Sequence, residues 1–199
     1  MTSSIDLMNA ALTITGNNPV SDGDGSVEWE LLSAQYPLIV ADCFEEIEPH
    51  FGTVFRHPLT GRFDGDSEFS DAYTLPNDVL VIRNAYVSQQ FWPDWRSDGQ
   101  TLWIDGSSAV EIDYVRKSSE GTWSPKFRKA VQTFLEAACL LGLNEDETGA
   151  ERREEKAEDR LRMAGVKSHT NRSPEKVYQR SRLMMARRGS RRFLYGSSS

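Results

Sequence analysis

The sequence predicts a mainly α-helical fold: a helical bundle with a small inserted antiparallel β-sheet or hairpin and an extended C-terminal arm. Three observations predict this fold. Apolar residues recur at helical spacing in both halves of the chain, β-branched and aromatic residues are concentrated between them, and basic residues are concentrated at the end. We therefore expect a helical domain at residues 1–166, with a β insert at about 72–117, and a basic C-terminal arm at 167–199.

The stretch from Ser124 to Leu143 is predicted to be the central buried helix. Ser124 suits the N-cap because its side-chain oxygen can accept a hydrogen bond from a free amide. Pro125 suits the first helical position because its missing N–H would have no partner there. Apolar residues spread almost all round the second half, which is typical of a helix that is buried on most sides. The expected principal face carries Phe127, Val131, Phe134, Leu135, Ala138 and Leu141.

A short amphipathic helix is predicted at residues 3–15. Ser3 or Ser4 is expected to cap its start, and Gly16 is expected to end it. The loop that follows is rich in residues that favour turns. The face expected to point inward carries Ile5, Met8, Ala11 and Leu12.

A second helix is predicted to start at Ser26. Pro37 is expected to break or kink it, because proline cannot donate the backbone hydrogen bond of the helix interior. Helical spacing then resumes to about residue 49, and residues 57–71 are expected to form a polar connection. The residues expected to face inward are Val27, Leu31, Ala34, Leu38, Ala41, Ile47 and Phe51.

The β insert is predicted from residues 72–87, where Pro76 marks a strand entry or an edge. Segments 101–106 and 108–117 then predict a hairpin, because an Asp-Gly pair stands at or near the turn between them. Apolar and polar residues alternate in part of the second segment, which favours a half-buried strand.

A charged helix is predicted after the central one. Thr148 and Glu151 fit a capping box at its start, and Gly165 is expected to stop it. Its apolar stripe is thin and consists of Ala150, Ala157, Leu161 and Ala164.

Charge is distributed unevenly along the chain. The net charge is −7, but residues 167–199 carry nine Lys or Arg and one acid, Glu175, which makes +8. Residues 1–166 therefore carry −15. A basic arm on an acidic body favours contact with nucleic acid or with an acidic protein surface.

Enzymatic, metal and cofactor sites are not expected. No Gly-rich phosphate loop or nucleophile motif occurs, and no apolar run is long enough to suggest a membrane span. One group of possible ligands does not match zinc spacing, and a second, acidic group that could hold magnesium is more typical of a solvated helix face. The first group is Cys43, His50, His57 and Cys139, and the second is Asp42, Glu45, Glu46 and Glu48. Both cysteines are expected to be buried core residues.

Trp92 and Trp95 lie in a predicted turn region at residues 89–99. Trp103 lies close by in the predicted hairpin. Three interpretations stay open for the three tryptophans: half-buried packing of the insert, contact with another subunit or, for Trp92 and Trp95, a tail protein, and a stacking platform for a sugar or a base.

The end of the basic arm combines arginines with aromatic residues. This pattern favours docking on a protein, with aromatic anchors in a groove and arginines paired to carboxylates. Contact with DNA and a purely solubilising role are the alternatives. The residues predicted to bind a partner are Arg180, Arg187, Arg188, Arg191, Arg192, Phe193 and Tyr195.

The order of these segments resembles the head-to-tail connector, or adaptor, proteins of tailed bacteriophages, in particular the tubular tail protein of T7-like podoviruses and the adaptors below the portal. The resemblance covers the layout of residues 3–165. It is carried by LLSAQYPLIVADCFEEIEPHFGTVF, AYTLPNDVL, VEIDYV and WSPKFRKAVQTFLEAACL. Phe51 and Phe55 stand where such proteins carry a tryptophan.

The resemblance implies a structural virion protein that is assembled in the host cytoplasm. Such proteins form a dodecameric ring under the portal protein, extend the DNA channel and provide the platform for a tail or nozzle protein. In related adaptors a C-terminal segment docks on the portal. The acidic body of this chain would let DNA pass through the channel without specific binding, because like charges repel. The alternative is a nucleic-acid-binding protein that uses its basic arm.

Overall fold

The computed structural model describes residues 3–106 and 109–170, with side chains described through Val166. These residues form four α-helices and two four-stranded antiparallel sheets. The expectation of a helical bundle with a small inserted hairpin is therefore wrong. The fold is mixed α and β, because strands were missed both before the predicted insert and within it, and half of the strand pairings join segments that are distant in sequence.

The helices are α1 (Ser4–Thr15), α2 (Val27–Ile47), α3 (Pro125–Gly142) and α4 (Glu147–Thr170). The predicted N-cap residues are confirmed for the first three helices. The Ser3 side chain accepts from the Asp6 amide at 3.3 Å and the Asp6 carboxylate accepts from the Ser3 amide at 2.8 Å, which makes a reciprocal capping box. Ser26 and Ser124 each accept from the amide three residues on, both at 3.2 Å.

Helix α2 differs from its prediction in two ways. It runs through Pro37 without interruption, and its buried face lies on nearly the opposite side of the helix from the predicted one, with Ile47 as the residue common to both. Val27 and Leu38, which were expected inside, are 68% and 59% exposed. The buried residues are instead Leu32, Tyr36, Val40, Cys43, Phe44 and Ile47. This face carries the larger side chains, Tyr36 and Phe44, and so removes more apolar area from water.

Helix α4 also differs at both ends. Its first turn is capped by Asp146, which accepts from the Gly149 amide at 2.9 Å, rather than by the predicted pair of Thr148 and Glu151. Gly165 does not stop the helix, which continues to Thr170. A Cβ at Gly165 would lie 3.2 Å from Ile47 of α2, so the glycine allows the two helices to approach closely.

The first sheet has the strand order β1 (Thr53–Pro58), β8 (Val110–Val115), β4 (Val81–Val87), β5 (Gln90–Trp92). The second has the order β2 (Arg62–Asp64), β3 (Asp71–Thr74), β7 (Thr101–Ile104), β6 (Trp95–Ser97). All neighbouring strands in both sheets are antiparallel.

Three local predictions fail in this region. The segments at 101–106 and 108–117 do not form a hairpin, because β7 pairs with β3 and β6 while β8 pairs with β1 and β4 in the other sheet. The segment at 72–87 is divided between β3 and β4, with Pro76 in the connection. The expected polar connection at 57–71 contains the end of β1, all of β2 and the start of β3.

Two hydrophobic cores hold the described residues together. One joins α1, α2, α3 and α4 around Phe44 and Phe127, and Val115 at the end of β8 belongs to it. The other contains Leu102 and Ile104 from one sheet and Val110, Ile112 and Tyr114 from the other, so the two sheets share it. The described residues up to His169 form one compact unit.

The connection from β7 to β8 is held by two side chains of β3. Asp71, which is 2% exposed, accepts hydrogen bonds from the Ser70 hydroxyl at 2.8 Å, the Gly106 amide at 3.1 Å and Arg62 Nε at 2.5 Å. The Tyr73 hydroxyl donates to the Gly106 carbonyl at 2.6 Å. A Cβ at Gly106 would lie 2.9 Å from Val87, so a larger residue does not fit.

We expect Asp71→Asn to destabilise the fold by about 1–3 kcal/mol, because the new amide group cannot accept all three hydrogen bonds. Burial raises the pKa of Asp71, but the hydrogen bonds from Ser70, Gly106 and Arg62 outweigh it and hold the pKa below the ordinary 3.8. The stabilisation is therefore full above that value and is lost as pH falls through the lower folded pKa.

Urea unfolding of the wild type and of Asp71→Asn, measured from neutral pH into the acid range, tests this expectation. The difference in the free energy of unfolding between the wild type and Asp71→Asn should stay constant above the ordinary carboxyl pKa and decrease below it. Asp64→Asn is the matched control, because Asp64 lies opposite Asp71 in the sheet but is exposed. If this difference were unchanged at low pH, the hydrogen bonds to the Asp71 carboxylate would not be the source of the stabilisation.

Candidate interaction groove between the helices

A groove with a volume of about 1090 Å³ opens between α2, α3 and α4, and we call it the helical groove. Small residues line it where the helices meet, among them Ala137, Ala138 and Gly142 of α3 and Ala150 of α4. Their short side chains leave a furrow that longer ones would fill. Its larger apolar lining residues are Leu31, Ile39, Ile47, Phe134, Leu141, Leu161 and Val166.

The apolar floor is only partly covered. Phe134 is half-buried, whereas Leu141 and Val166 are 57% and 63% exposed. Both Phe134 and Leu141 belong to the predicted principal face of α3, so that face splits into a core half and a groove half. Exposed apolar side chains in one concave region are typical of a contact with another protein segment.

The rim of the helical groove is acidic. Seven carboxylates line it against a single base, Arg162. One of them, Glu48, is paired with Arg83 at 2.7 Å, and Arg162 itself contacts Asp159 at 3.0 Å outside the groove. The excess of negative charge favours a basic ligand. The rim carboxylates are Asp42, Glu46 and Glu48 on one side and Glu147, Glu151, Glu154 and Glu158 on the other.

A buried ion pair attaches α4 to α3 beside the groove. Glu136, 1% exposed, accepts from Arg153 Nη1 at 2.8 Å and from Gln132 Nε2 at 3.2 Å, and Lys129 Nζ lies 3.8 Å away. Arg160 also donates to the buried Thr133 hydroxyl. These bonds hold one face of α4 against α3, which leaves its neighbouring face, with the rim glutamates, free to border the groove.

The groove was missed at the sequence level, although a signal was present. Glu147, Glu151, Glu154 and Glu158 recur at spacings of four, three and four, which places them on one face of α4. The acidic group of α2 was interpreted as a solvated face. The structure brings Asp42, Glu46 and Glu48 of that group to the groove, and Glu45 is not among its lining residues.

The candidate metal ligands do not come together. Cys43 and Cys139 are free and buried as expected, and burial, as the main cause, raises the pKa of these thiols to about 12 and about 11. The His50 ring packs against Phe55 at 5.2 Å, and the His57 ring against Tyr114 at 5.6 Å. Among the side chains described at residues 3–106 and 109–166, no cluster of three or more His, Cys, Asp or Glu is arranged to hold a metal ion.

Trp92 and Trp95 are half-buried and pack against the core shared by the two sheets. Packing of the insert therefore accounts for much of their surface, while their contact with another subunit stays a prediction. Trp103 lies under the Arg96 guanidinium, with its ring centre 4.7 Å from the arginine carbon.

A polar cluster that the sequence did not indicate surrounds Asp113 of β8. Asp113 is 4% exposed and accepts from the Arg56 amide at 2.9 Å, Asn84 Nδ2 at 3.1 Å and the Tyr86 hydroxyl at 2.7 Å. The Arg56 guanidinium also stacks on the Tyr86 ring at 3.4 Å. These contacts bind β1, β4 and β8 together, so we interpret the cluster as structural.

The predicted partner-binding residues of the basic arm all lie outside the described residues. They are Arg180, Arg187, Arg188, Arg191, Arg192, Phe193 and Tyr195.

No protein-family model matches the chain, and no curated protein matches it. Within the part of the chain that the structure describes, no helix has both the length and the apolar character needed to cross a bilayer.

Proposed function

We propose that this protein is a structural, non-enzymatic subunit of a tailed bacteriophage: a head-to-tail adaptor that forms a ring under the portal protein. The observation that carries the proposal is the division of charge, −15 over residues 1–166 and +8 over the basic arm, in a chain whose segments follow the connector layout. In this role the ring extends the DNA channel, and DNA passes the acidic body without specific binding.

The motif residues of the connector resemblance contact one another. Tyr114 of the VEIDYV segment donates to the Asp78 carboxylate of the AYTLPNDVL segment at 3.2 Å, and Leu75 is 4% exposed in the core shared by the sheets. Arg116 also pairs with Asp78 at 3.3 Å. These contacts support treating the two segments as one structural unit.

The proposed partners follow from the connector resemblance and from the residue pattern of the basic arm. The end of the basic arm docks on the portal, with Phe193 and Tyr195 as anchors and the arginines paired to carboxylates. Neighbouring copies form the ring, and the region of Trp92 and Trp95 meets a neighbour or a tail or nozzle protein. The protein acts in the virion after assembly in the host cytoplasm.

Replacing Arg187, Arg188, Arg191 and Arg192 with Glu is expected to leave the fold intact and to abolish attachment to the portal, because four favourable pairings become like-charge repulsions. Attachment is measured by light scattering of the protein mixed with a candidate portal ring, and by particle imaging. Arg152→Glu with Lys156→Glu is the control for a charge change at exposed positions of α4. Normal attachment of the arm variant would overturn the docking role.

The same preparation tests the alternative of a nucleic-acid-binding protein. If the arm binds DNA instead, affinity should fall steeply with salt and disappear in the four-arginine variant, since each neutralised phosphate adds to the salt dependence. A protein that ignores the portal but binds DNA in this way would replace the adaptor proposal.

A further inference from the structure

We infer that the helical groove receives residues 172–186 of the basic arm of a neighbouring copy. The inference deepens the proposed ring function, because it names a contact between subunits. It rests on the proposed function in one respect, that the neighbouring copy belongs to a ring. It leaves the arm end, Arg187–Tyr195, available for the portal, and it reassigns Arg180 from the portal to the groove.

The groove has the chemistry of a receptor for a basic amphipathic segment. Its floor presents Leu141 and Val166 at more than half exposure, and seven carboxylates with one arginine form its rim. Apolar side chains of a ligand can therefore be buried in the furrow while its cations lie against the rim glutamates. A helix laid into such a groove is a common mode of peptide recognition.

Residues 172–186 match this chemistry in sequence. The segment carries Arg172, Lys176, Arg180 and Arg182 against the single acid Glu175, a net +3. Ser173-Pro174 is the pattern of a helix start, which predicts a helix of two or three turns after it. Its apolar residues are Val177, Tyr178, Leu183, Met184 and Met185, of which 177, 178, 184 and 185 would share one face.

A neighbouring copy is the occupant that this pairing favours. Every copy carries both an acidic groove and a basic segment, so one copy can give its segment and receive another. Two different surfaces that pair head to tail generate a ring when the rotation closes. A ring is the assembly proposed above, and no second protein is needed to supply either surface.

Site-specific cross-linking between two full-length variants tests the inference. One variant carries Glu154→Cys on the groove rim and the other carries Lys176→Cys in the arm. The heterodimer is therefore enriched over chance collision when the groove of one copy meets the arm of another. The native Cys43 and Cys139 are buried. The matched control replaces the first variant with Glu155→Cys, the next residue of α4, which is exposed and does not line the groove.

We expect about tenfold more heterodimer from Glu154→Cys than from Glu155→Cys. Adding Glu151→Lys and Glu158→Lys to the groove variant should remove this excess, and adding Arg180→Glu and Arg182→Glu to the arm variant should restore it, because the charges are then exchanged. Recovery by exchange distinguishes docking from a general loss of folding.

Equal yields from positions 154 and 155 would overturn the inference. So would a chain carrying both cysteines that closes on itself as a monomer, since that places the segment in its own groove. The cross-linking uses no portal, and portal attachment is tested through residues 187–195, so failure of the groove contact and failure of the adaptor function are distinguishable.

Discussion

Replacing Phe127 with Ala is expected to lower the free energy of unfolding by about 3–5 kcal/mol, the range for truncating a buried aromatic residue. Phe127 is 0% exposed, and its ring centre lies 5.0 Å from Trp123, 5.1 Å from Phe44 and 5.2 Å from Phe51, all edge-on. Truncation removes the apolar area of the ring, leaves a cavity, and breaks three aromatic contacts that join α2, α3 and the segment before β1.

Urea unfolding of the wild type and of three variants measures this effect. Phe91→Ala is the exposed control, since Phe91 is 58% exposed, and it should change stability by no more than about 0.5 kcal/mol. The loss of stability from Phe134→Ala should lie between those of Phe127→Ala and Phe91→Ala, because Phe134 is only half-buried and lines the groove. A cost below about 1 kcal/mol for Phe127→Ala would show that the aromatic cluster is not the centre of the helical core.

Replacing Arg153 with Met is expected to cost about 3 kcal/mol, because it leaves the buried Glu136 carboxylate without its closest cation. The value is at the low end of the range for a broken buried pair. Arg153 is itself 35% exposed, and Lys129 and Gln132 still lie 3.8 Å and 3.2 Å from the carboxylate. The loss should appear in both urea and thermal unfolding.

A second substitution distinguishes the ion pair from simple packing. Adding Glu136→Leu to Arg153→Met should recover most of the lost stability, since replacing a whole buried pair by apolar residues is often neutral or favourable. Arg152→Met, at the exposed neighbouring position, is the control. If the double variant is no more stable than Arg153→Met, charge burial is not the cause of the loss.

The helices that sequence analysis predicted best are those with a local start signal. Ser3, Ser26 and Ser124 accept hydrogen bonds from amides within three residues, so the information needed to place them lies in four consecutive residues. The end of α1 is likewise local, because Gly16 adopts a left-handed conformation with φ of 82°.

Predictions failed where two local interpretations compete and packing decides between them. Both faces of α2 contain apolar residues, and the face with Tyr36 and Phe44 is buried because the aromatic core lies there. Glycine is typical of the end of a helix, but α4 continues through Gly165. The absence of a side chain there allows close contact with Ile47 of α2. Asp146 caps α4 although the pattern at Thr148 and Glu151 is the more familiar one.

The sheets were underestimated because half of their pairings are distant in sequence and several of their strands are short. Three of the eight strands have three residues, which is too short for alternation to be recognised. The turn between β4 and β5 consists of Ser88 and Gln89, both with positive φ, rather than the Asn-Gly type that identifies such turns. Asp105-Gly106 suggested a hairpin, yet there the chain passes from one sheet to the other.

The sequence by itself determined the helix starts, the division into an acidic body and a basic arm, and the presence of β structure in the middle of the chain. These properties depend on composition or on hydrogen bonds within one turn. Only the tertiary structure decided which face of α2 is buried, which strands pair, and that rim carboxylates from α2 and α4 border one apolar groove. Those outcomes depend on contacts between residues that are far apart in the chain. Such contacts form where they bury apolar area or pair buried charges.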